Sequence, residues 1–193
     1  MKMNKALKIF VNGPIWNSLL IRVFLPNIFK LVPPGYFPKK ILELGSGIGV
    51  TTKQIANFFI GAQIVATDYD PIQVSVAKEK LSDYNNITVE RADATKLLFA
   101  NKSFDAVFIF NSLHHLKPYE KAIAEIARVL KSNGLVFIMD ERTKDMNPII
   151  KSVDQPESLF EKSDIIREAK KNSLNLIKQS GTERLYYLVF EKN

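Results

Sequence analysis

Short apolar runs alternate with amphipathic segments along most of this chain. Five runs rich in β-branched and aromatic residues predict strands: KILEL (40–44), AQIVAT (62–67), ITVER (87–91), FDAVFIF (104–110) and LVFIMD (135–140). Between these runs, apolar residues recur every three or four positions and predict helices at 50–60, 71–82 and 118–131. Strands that alternate with helices are typical of a parallel sheet with helices on both faces.

The two ends of the helix predicted at 118–131 have recognisable signals. Pro118 stands at its start, and the segment KSNG follows its apolar stripe, so that Gly134 is predicted as the C-terminal cap. Further along, DIIREAKKN (164–172) predicts another helix. The last two apolar runs, 174–179 and 184–192, flank Ser180-Gly181 and predict a terminal hairpin. The predicted fold class is therefore α/β, with a doubly wound, mostly parallel seven-stranded sheet and an antiparallel C-terminal hairpin.

The N-terminal stretch is apolar but interrupted by prolines. Asn12-Gly13-Pro14 predicts a helix start, because proline is tolerated at the first helical position. Pro26 is expected to kink or end that helix, and Pro33-Pro34-Gly35 ends the segment. We expect residues 1–37 to form a helical cap on a core of residues 38–193, together one domain spanning 1–193.

The composition excludes some kinds of chemistry. The 193 residues include no cysteine, which removes disulfides, thiolate metal ligands and cysteine nucleophiles. The sequence shows no cleavable leader and no apolar run long enough to span a bilayer, so that we expect no transmembrane segment and a cytoplasmic location.

Basic residues outnumber acidic ones. The 27 Lys and Arg against 20 Asp and Glu give a formal charge of +7 at pH 7, which could attract nucleic acid, acidic lipid or an anionic substrate. No dense run of like charge occurs, and the lysines are spread along the chain, so that a merely solvated basic surface is the favoured interpretation.

Three glycines follow the first predicted strand, in ILELGSGIG (41–49). A glycine-rich turn between a strand and a helix lets backbone approach a ligand at the helix N-terminus. The spacing differs from the dinucleotide pattern G-x-G-x-x-G, because Val50 occupies the sixth position. It also lacks the Gly-Lys-Ser/Thr ending of a phosphate loop, since Val50-Thr51-Thr52 follows.

The segment Glu43-Leu44-Gly45-Ser46-Gly47-Ile48-Gly49 resembles the first motif, E-x-G-x-G-x-G, of the class I S-adenosylmethionine-dependent methyltransferases. Later landmarks of that family follow in order: ATDYDP after the second strand, RADATKL after the third, SFDAVFIFNSLHHL around the fourth, and IARVLKSNGLVFIMDE around the fifth. The resemblance runs from about Lys39 to the C-terminus. It implies the Rossmann-like methyltransferase fold and S-adenosylmethionine as the cofactor, with S-adenosylhomocysteine as its product.

The resemblance also implies a set of cofactor-binding residues. Asp68 would bind the ribose hydroxyls through charge-assisted hydrogen bonds, Tyr69 would lie near the adenine, and Asp93 would accept from the adenine amino group with the Ala94 N–H beside it. Glu43 would attract the methionine ammonium, directly or through water. The full predicted set is Glu43, Gly45, Ser46, Gly47, Gly49, Asp68, Tyr69, Asp93, Ala94 and Asn111.

The methyl acceptor is expected to contact the loop at Asn111–Leu116, the segment Glu141–Glu161 and the region around Trp16, as in similar proteins. Asn111-Ser112-Leu113-His114 differs from the Asn/Asp-Pro-Pro-Tyr/Phe motif of nucleic-acid amino-methylases. The same loop also differs from the metal-binding E-x-x-E-H of some relatives, so that no metal is expected.

His114 and His115, the chain's two histidines, are predicted as catalytic residues. Imidazole titrates near neutral pH, so that at least one of them could line the acceptor pocket as a general base. The alternative for each is a structural or solvent-facing role. Trp16 and Tyr36 are similarly ambiguous, and core packing is favoured for Trp16 because it belongs to a leucine-rich helical stripe.

Three functions remain open at this level. The leading one is an enzyme that methylates a small molecule, which could be amphiphilic given the apolar cap. The second is an RNA methyltransferase, supported only by the basic charge. The third is a non-catalytic S-adenosylmethionine-binding partner subunit. The oligomeric state cannot be predicted from the sequence.

Overall fold

The computed structural model describes residues 5–141, 158 and 160–193. Seven strands form one sheet: β1 Lys40–Leu44, β2 Gln63–Asp68, β3 Ile87–Arg91, β4 Phe104–Phe110, β5 Leu130–Glu141, β6 Leu174–Gly181 and β7 Leu185–Lys192. Their spatial order is β3-β2-β1-β4-β5-β7-β6. The pairs among β1 to β5 are parallel, whereas β7 runs antiparallel to both β5 and β6. The predicted fold class is therefore confirmed.

Helices cover both faces of this sheet. They are α1 Lys5–Val11, α2 Pro14–Leu19, α3 Leu25–Phe29, α4 Val50–Phe58, α5 Pro71–Lys80, α6 Tyr119–Val129 and α7 Lys162–Lys171, with a π-helical turn at Leu20–Phe24 and a 3₁₀ turn at Leu113–His115. Apolar residues of α3 and α4 are buried against one face, and those of α6 and α7 against the other. Phe108 and Phe137 stack on neighbouring strands with ring centroids 4.5 Å apart, within the core beneath α3 and α4.

The N-terminal helical segment does not end at Pro26, where the sequence predicted a kink or an end of the helix. The π-helical turn precedes it, and the Leu25 N–H donates to the carbonyl of Leu20, five residues earlier. Pro26 therefore falls in the first turn of α3, where its missing N–H costs little. Leu25 and Ile28 of α3 are buried in the core.

Tyr36, at the end of this cap, is hydrogen-bonded to two strands of the sheet, β4 and β5. Its hydroxyl donates to the carbonyl of Asp105 at 2.5 Å and accepts from the N–H of Leu135 at 3.3 Å. Burial raises the pKa of this phenol above its ordinary value. Of the two roles considered for Tyr36, its contacts support the structural one.

The predicted cap at Gly134 is wrong. Helix α6 ends at Val129 and β5 begins at once at Leu130, so that Gly134 lies inside the strand, next to an irregularity in its pairing with β4. The left-handed conformation falls one residue earlier, at Asn133, with φ +61°. A Cβ at position 134 would lie 2.9 Å from the carbonyl oxygen of Asp105, and this close approach of backbone explains the glycine.

The strand order changes direction next to β1. This strand pairs with β2 on one side and with β4 on the other. In open α/β sheets, ligands bind at such a point, beyond the carboxyl ends of the strands. The topology therefore brings the glycine turn after β1 and the loop after β4 to the same edge of the sheet.

Candidate active site

A cavity lies at this edge of the sheet. Its floor is formed by residues that follow β1, β2, β3 and β4, and its roof by the N-terminal cap. The residues around it that the following paragraphs use are Asn12, Trp16, Leu20, Gly45, Ser46, Gly47, Thr51, Asp68, Tyr69, Gln73, Asp93, Ala94, Asn111, Ser112 and His115. Most of the residues predicted to bind the cofactor thus surround one cavity.

The glycine turn is held in place by β2. The N–H groups of Gly45 and Ser46 both donate to the carbonyl of Thr67, at 2.8 and 2.9 Å. Gly45 has φ +73°, and a Cβ there would collide with the side chain of Ser112 in the loop after β4. Gly47 has φ +55°, yet a Cβ there would meet no atom within 4 Å, because this residue faces open space. The two glycines therefore serve different needs, close packing at 45 and access at 47.

Gly49 does not line the cavity among the described residues, although it was predicted to bind the cofactor. It has φ +84° and precedes the first residue of α4. A Cβ at this position would come within 2.6 Å of the Leu81 side chain and 3.6 Å of that of Ala77. Gly49 therefore lets the start of α4 pack closely against the end of α5, which is a structural role.

Among the described residues, Glu43 does not line the cavity either, although it was predicted to bind the cofactor. Its carboxylate is 1% exposed and accepts hydrogen bonds from the hydroxyls of Thr51 and, at 2.5 Å, Thr52. Burial raises its pKa from 4.5 to about 7, and the two hydroxyls only partly offset this effect. Thr51 itself lines the cavity, so that Glu43 reaches the site through this hydroxyl.

Asp68 ends β2 with its carboxylate at the cavity. One oxygen accepts from the N–H of Gly47 at 2.9 Å and the other from that of Asp70 at 2.8 Å. These bonds fix the orientation of the carboxylate and leave each oxygen able to accept another bond. Burial raises the pKa of Asp68, and the two N–H bonds act against that rise.

Asp93 and Tyr69 form the side of the cavity farthest from the histidines along the sheet. Asp93 accepts from the N–H and the hydroxyl of Thr95, at 2.9 and 2.7 Å. Burial acts to raise the pKa of Asp93, but the two bonds from Thr95 and nearby positive charge outweigh it, so that the pKa is lowered. The Tyr69 ring is 40% exposed, and the Arg91 guanidinium lies 5.1 Å from its centroid. Ala94 lies beside Asp93 on the wall.

The loop after β4 brings only one of the two histidines to the cavity. His115 is half-buried and lines it, whereas His114 is fully buried and does not contribute to its described lining. The His114 Nδ1 lies 2.6 Å from an oxygen of Asp140, at the end of β5. The assignment of His114 as a catalytic residue in contact with the acceptor therefore does not fit its position. The buried pair instead fixes the turn that presents His115, whose ring centroid lies 4.0 Å from that of His114.

Asp140 is a site-organising residue that the sequence analysis missed. Besides His114, it accepts from the N–H of Leu113 at 2.8 Å, so that it holds the 3₁₀ turn at two points. The sequence did contain a signal for it. Asp140 lies near the end of β5, which pairs with β4, and β4 is the strand that precedes the histidine loop. At the start of that loop, Asn111 has φ +47°, and its N–H donates to the carbonyl of Met139 at 2.7 Å.

The cap is joined to the cofactor side of the cavity by polar contacts. Asn12 and Gln73 of α5 exchange two amide hydrogen bonds, at 3.1 and 3.4 Å. Lys8 forms an ion pair with Asp70, which also caps α5 by accepting from the N–H of Ile72. Asp70 in turn donates its N–H to Asp68, so that the polar contacts of the cap are linked to the Asp68 carboxylate through a residue two positions further along the chain.

Trp16 lies on the wall of the cavity, although core packing was the favoured interpretation from sequence. Its ring is half-buried between Phe10 and Phe24, with centroids 5.3 and 5.8 Å away. Of the predicted acceptor regions, the cap and the histidine loop therefore meet at the cavity. The third, 141–161, lies mostly outside the described residues.

Within the described residues, no group of three His, Asp or Glu is arranged to hold a metal ion. In the same part of the chain, no helix has the length and apolar character needed to cross a membrane.

The residues present fit an adenosine cofactor with a methionine tail. Asp68 offers carboxylate oxygens for a diol, Gly47 leaves space beside exposed backbone, and the Ser46 hydroxyl is buried without a hydrogen-bond partner in the described structure. A buried hydroxyl without a partner is costly, and a ligand atom would satisfy it. Together with the switch point of the sheet, these features define a nucleoside-binding α/β protein.

The chain belongs to the family described as Methyltransferase domain, which it matches over residues 42–138. A demethylmenaquinone methyltransferase of Thermus thermophilus is 32% identical over 105 residues, 53% of this chain and 47% of that protein. One of Leptospira interrogans is 30% identical over 143 residues, 71% of this chain and 57% of that protein. The chain thus spans about half the length of these relatives.

The fold is shared with solved structures of the same class. A SAM-dependent methyltransferase from Aquifex aeolicus superposes with a TM-score of 0.78 at 17% identity, covering 98% of each chain. The predicted class I family and its cofactor, S-adenosylmethionine, are therefore confirmed.

Proposed function

We propose that this protein binds S-adenosylmethionine in the cavity and transfers its methyl group to a small, largely apolar acceptor. One observation carries this proposal: the carboxylate of Asp68 and the ring of His115 lie on the same cavity, under a roof that includes Trp16. A site for the cofactor and a site for its reaction partner are thus adjacent.

The proposed cofactor contacts follow from the polar groups on the cavity floor. Asp68, already oriented by two backbone N–H groups, accepts hydrogen bonds from the ribose hydroxyls. Asp93 accepts from the adenine amino group, and the Tyr69 ring lies near the base. Gly45 and Gly47 expose backbone toward the methionine part, where the Ser46 hydroxyl finds a partner.

When bound, the cofactor supplies an activated methyl group on a sulfonium, and the protein supplies position and proton transfer. His115 accepts the proton that a hydroxyl or carbon acid loses as it is methylated. The buried Asp140–His114 pair keeps the 3₁₀ turn in place, so that the His115 ring stays directed at the cavity. Orientation of the two reactants can contribute roughly 7–11 kcal/mol to lowering the barrier in good cases.

The character of the acceptor is inferred from the roof of the cavity. Val11, Trp16 and Leu20 present apolar surface there, and Leu116 adds to it from the histidine loop. Such walls favour a flat or branched apolar group, with polar atoms near His115. The names of the relatives agree with this choice, because demethylmenaquinone methyltransferases are named for an apolar small-molecule substrate.

The test is a methyl-transfer screen with isotopically labelled S-adenosylmethionine and mass-spectrometric detection, using phenols, quinols, sterols, amines and transfer RNA as acceptors. The proposal expects labelled product from an apolar small molecule, with S-adenosylhomocysteine formed in equal amount. Labelled RNA alone would favour the RNA methyltransferase instead. Cofactor binding without transfer to any class, also in the presence of partner proteins, would favour the non-catalytic subunit.

A further inference from the structure

The outer surface of the N-terminal cap carries an unusual number of exposed apolar side chains. We call them the outer cap face: Ile9, Phe10, Ile15, Leu19 and Val23. Ile15, Leu19 and Val23 recur every four residues through α2 and the π-helical turn, and are 85%, 41% and 47% exposed. The same helical segment turns Trp16 and Leu20 toward the cavity, so that it is apolar on two sides. A helix of this kind is normally covered on both sides.

The cap segment that carries this face is basic in sequence. Residues 1–37 contain five of the 27 Lys and Arg and none of the 20 Asp and Glu. Of these five cations, Lys8 pairs with Asp70, whereas Arg22 and Lys30 are exposed. Arg22 is exposed between Leu19 and Val23 on the outer cap face itself.

We propose that the outer cap face docks on an anionic lipid membrane. Exposed Ile, Leu, Val and Phe side chains insert into the boundary between headgroups and acyl chains, and nearby cations attract anionic headgroups. Charge complementarity selects this partner: the region combines apolar side chains with cations and has no acidic residue, which suits acidic lipid better than a second copy of the same basic cap.

Docking here has a consequence for the cavity. The cap that carries the outer face also forms the cavity roof, so that the entrance for an apolar acceptor would lie close to the lipid from which such a molecule is drawn. This consequence rests on the proposed function, but docking itself does not. Vesicle binding measured without cofactor or acceptor therefore tests it separately.

The experiment is co-sedimentation of the protein with vesicles of phosphatidylcholine alone and of phosphatidylcholine with phosphatidylglycerol. The double variant Ile15→Gln/Leu19→Gln removes apolar side chains that already face solvent, and Arg22→Gln removes charge alone. Ile60→Gln is the matched control, because Ile60 is 91% exposed but precedes β2, at the opposite edge of the sheet. Circular dichroism and melting curves verify that each variant folds.

The expected result is binding to the anionic vesicles that weakens with salt. The double variant should bind at least about ten-fold less tightly, since two apolar side chains are withdrawn from lipid. Arg22→Gln should cost about five-fold on anionic vesicles, and Ile60→Gln should bind as wild type. The proposal is overturned if wild type does not bind anionic vesicles, if the double variant binds equally well, or if wild type forms a lipid-independent dimer that the double variant loses.

Discussion

Replacing Glu43 with Gln should change how the stability of the protein depends on pH. The carboxylate is buried, and burial raises its pKa from 4.5 to about 7. Between these values the folded state binds more protons than the unfolded state, so that the wild type loses stability as pH rises. Each pKa unit corresponds to about 1.4 kcal/mol, and the shift therefore corresponds to a loss of about 3 kcal/mol across this range. Gln keeps the volume and cannot ionise.

The assay is urea denaturation of wild type and Glu43→Gln from about pH 4.5 to 8.5, without cofactor. The free energy of unfolding of the variant minus that of wild type should increase by about 3 kcal/mol over this range, because all other titrating groups cancel in the difference. Glu125→Gln is the opposite control, and it is measured from about pH 3 to 5. Its hydrogen bond and ion pair with Arg128 lower the pKa of Glu125, so that wild type gains over this variant as pH rises through the acid range to about 4.5. A difference for Glu43→Gln that stays constant with pH would refute the reasoning.

Two pairs of variants test the division of roles around the cavity. Gly49→Ala should lower the free energy of unfolding by about 1–3 kcal/mol in urea denaturation, because the residue has a positive φ and the added Cβ would collide with the Leu81 side chain. Gly47→Ala should cost only about 1 kcal/mol, since open space surrounds it, and should instead weaken cofactor binding in calorimetry; equal stability losses would contradict this distinction. His115→Ala should retain cofactor affinity and lower kcat by about 10²–10⁴-fold for an acceptor that loses a proton, and unchanged kcat across the pH range would remove it as the base. His114→Ala should lower stability by about 3–5 kcal/mol by leaving buried Asp140 without this partner, and an unchanged melting temperature would exclude that role.

The central strands of the sheet could be predicted from the sequence because they are buried on both faces. β4 is apolar at nearly every position, and such runs bounded by turn residues have few alternatives. The positions of Asp68 and Asp93 followed from the ends of successive strands. Once the strands are parallel, their carboxyl ends must share one edge, so that the location of the cavity required no knowledge of side-chain packing.

Features that depend on tertiary contact could not be predicted in this way. Gly47 and Gly49 are indistinguishable in sequence, yet one faces open space and the other packs against Leu81. The adjacent histidines likewise differ because Asp140, on a neighbouring strand, binds only one of them. The same holds for Pro26, whose effect on the helix depends on the π-helical turn that precedes it.

The central claim is that Asp68 anchors an adenosine cofactor in this cavity, and isothermal titration with S-adenosylhomocysteine tests it most directly. Wild type should bind one equivalent with submillimolar affinity, and Ile60→Gln should bind equally well. Asp68→Ala should weaken binding by about 1.5–3 kcal/mol, the range for hydrogen bonds to a charged group, while its circular dichroism spectrum stays that of a folded protein. An absence of heat with wild type at millimolar ligand, or equal affinity of wild type and Asp68→Ala, would contradict the account.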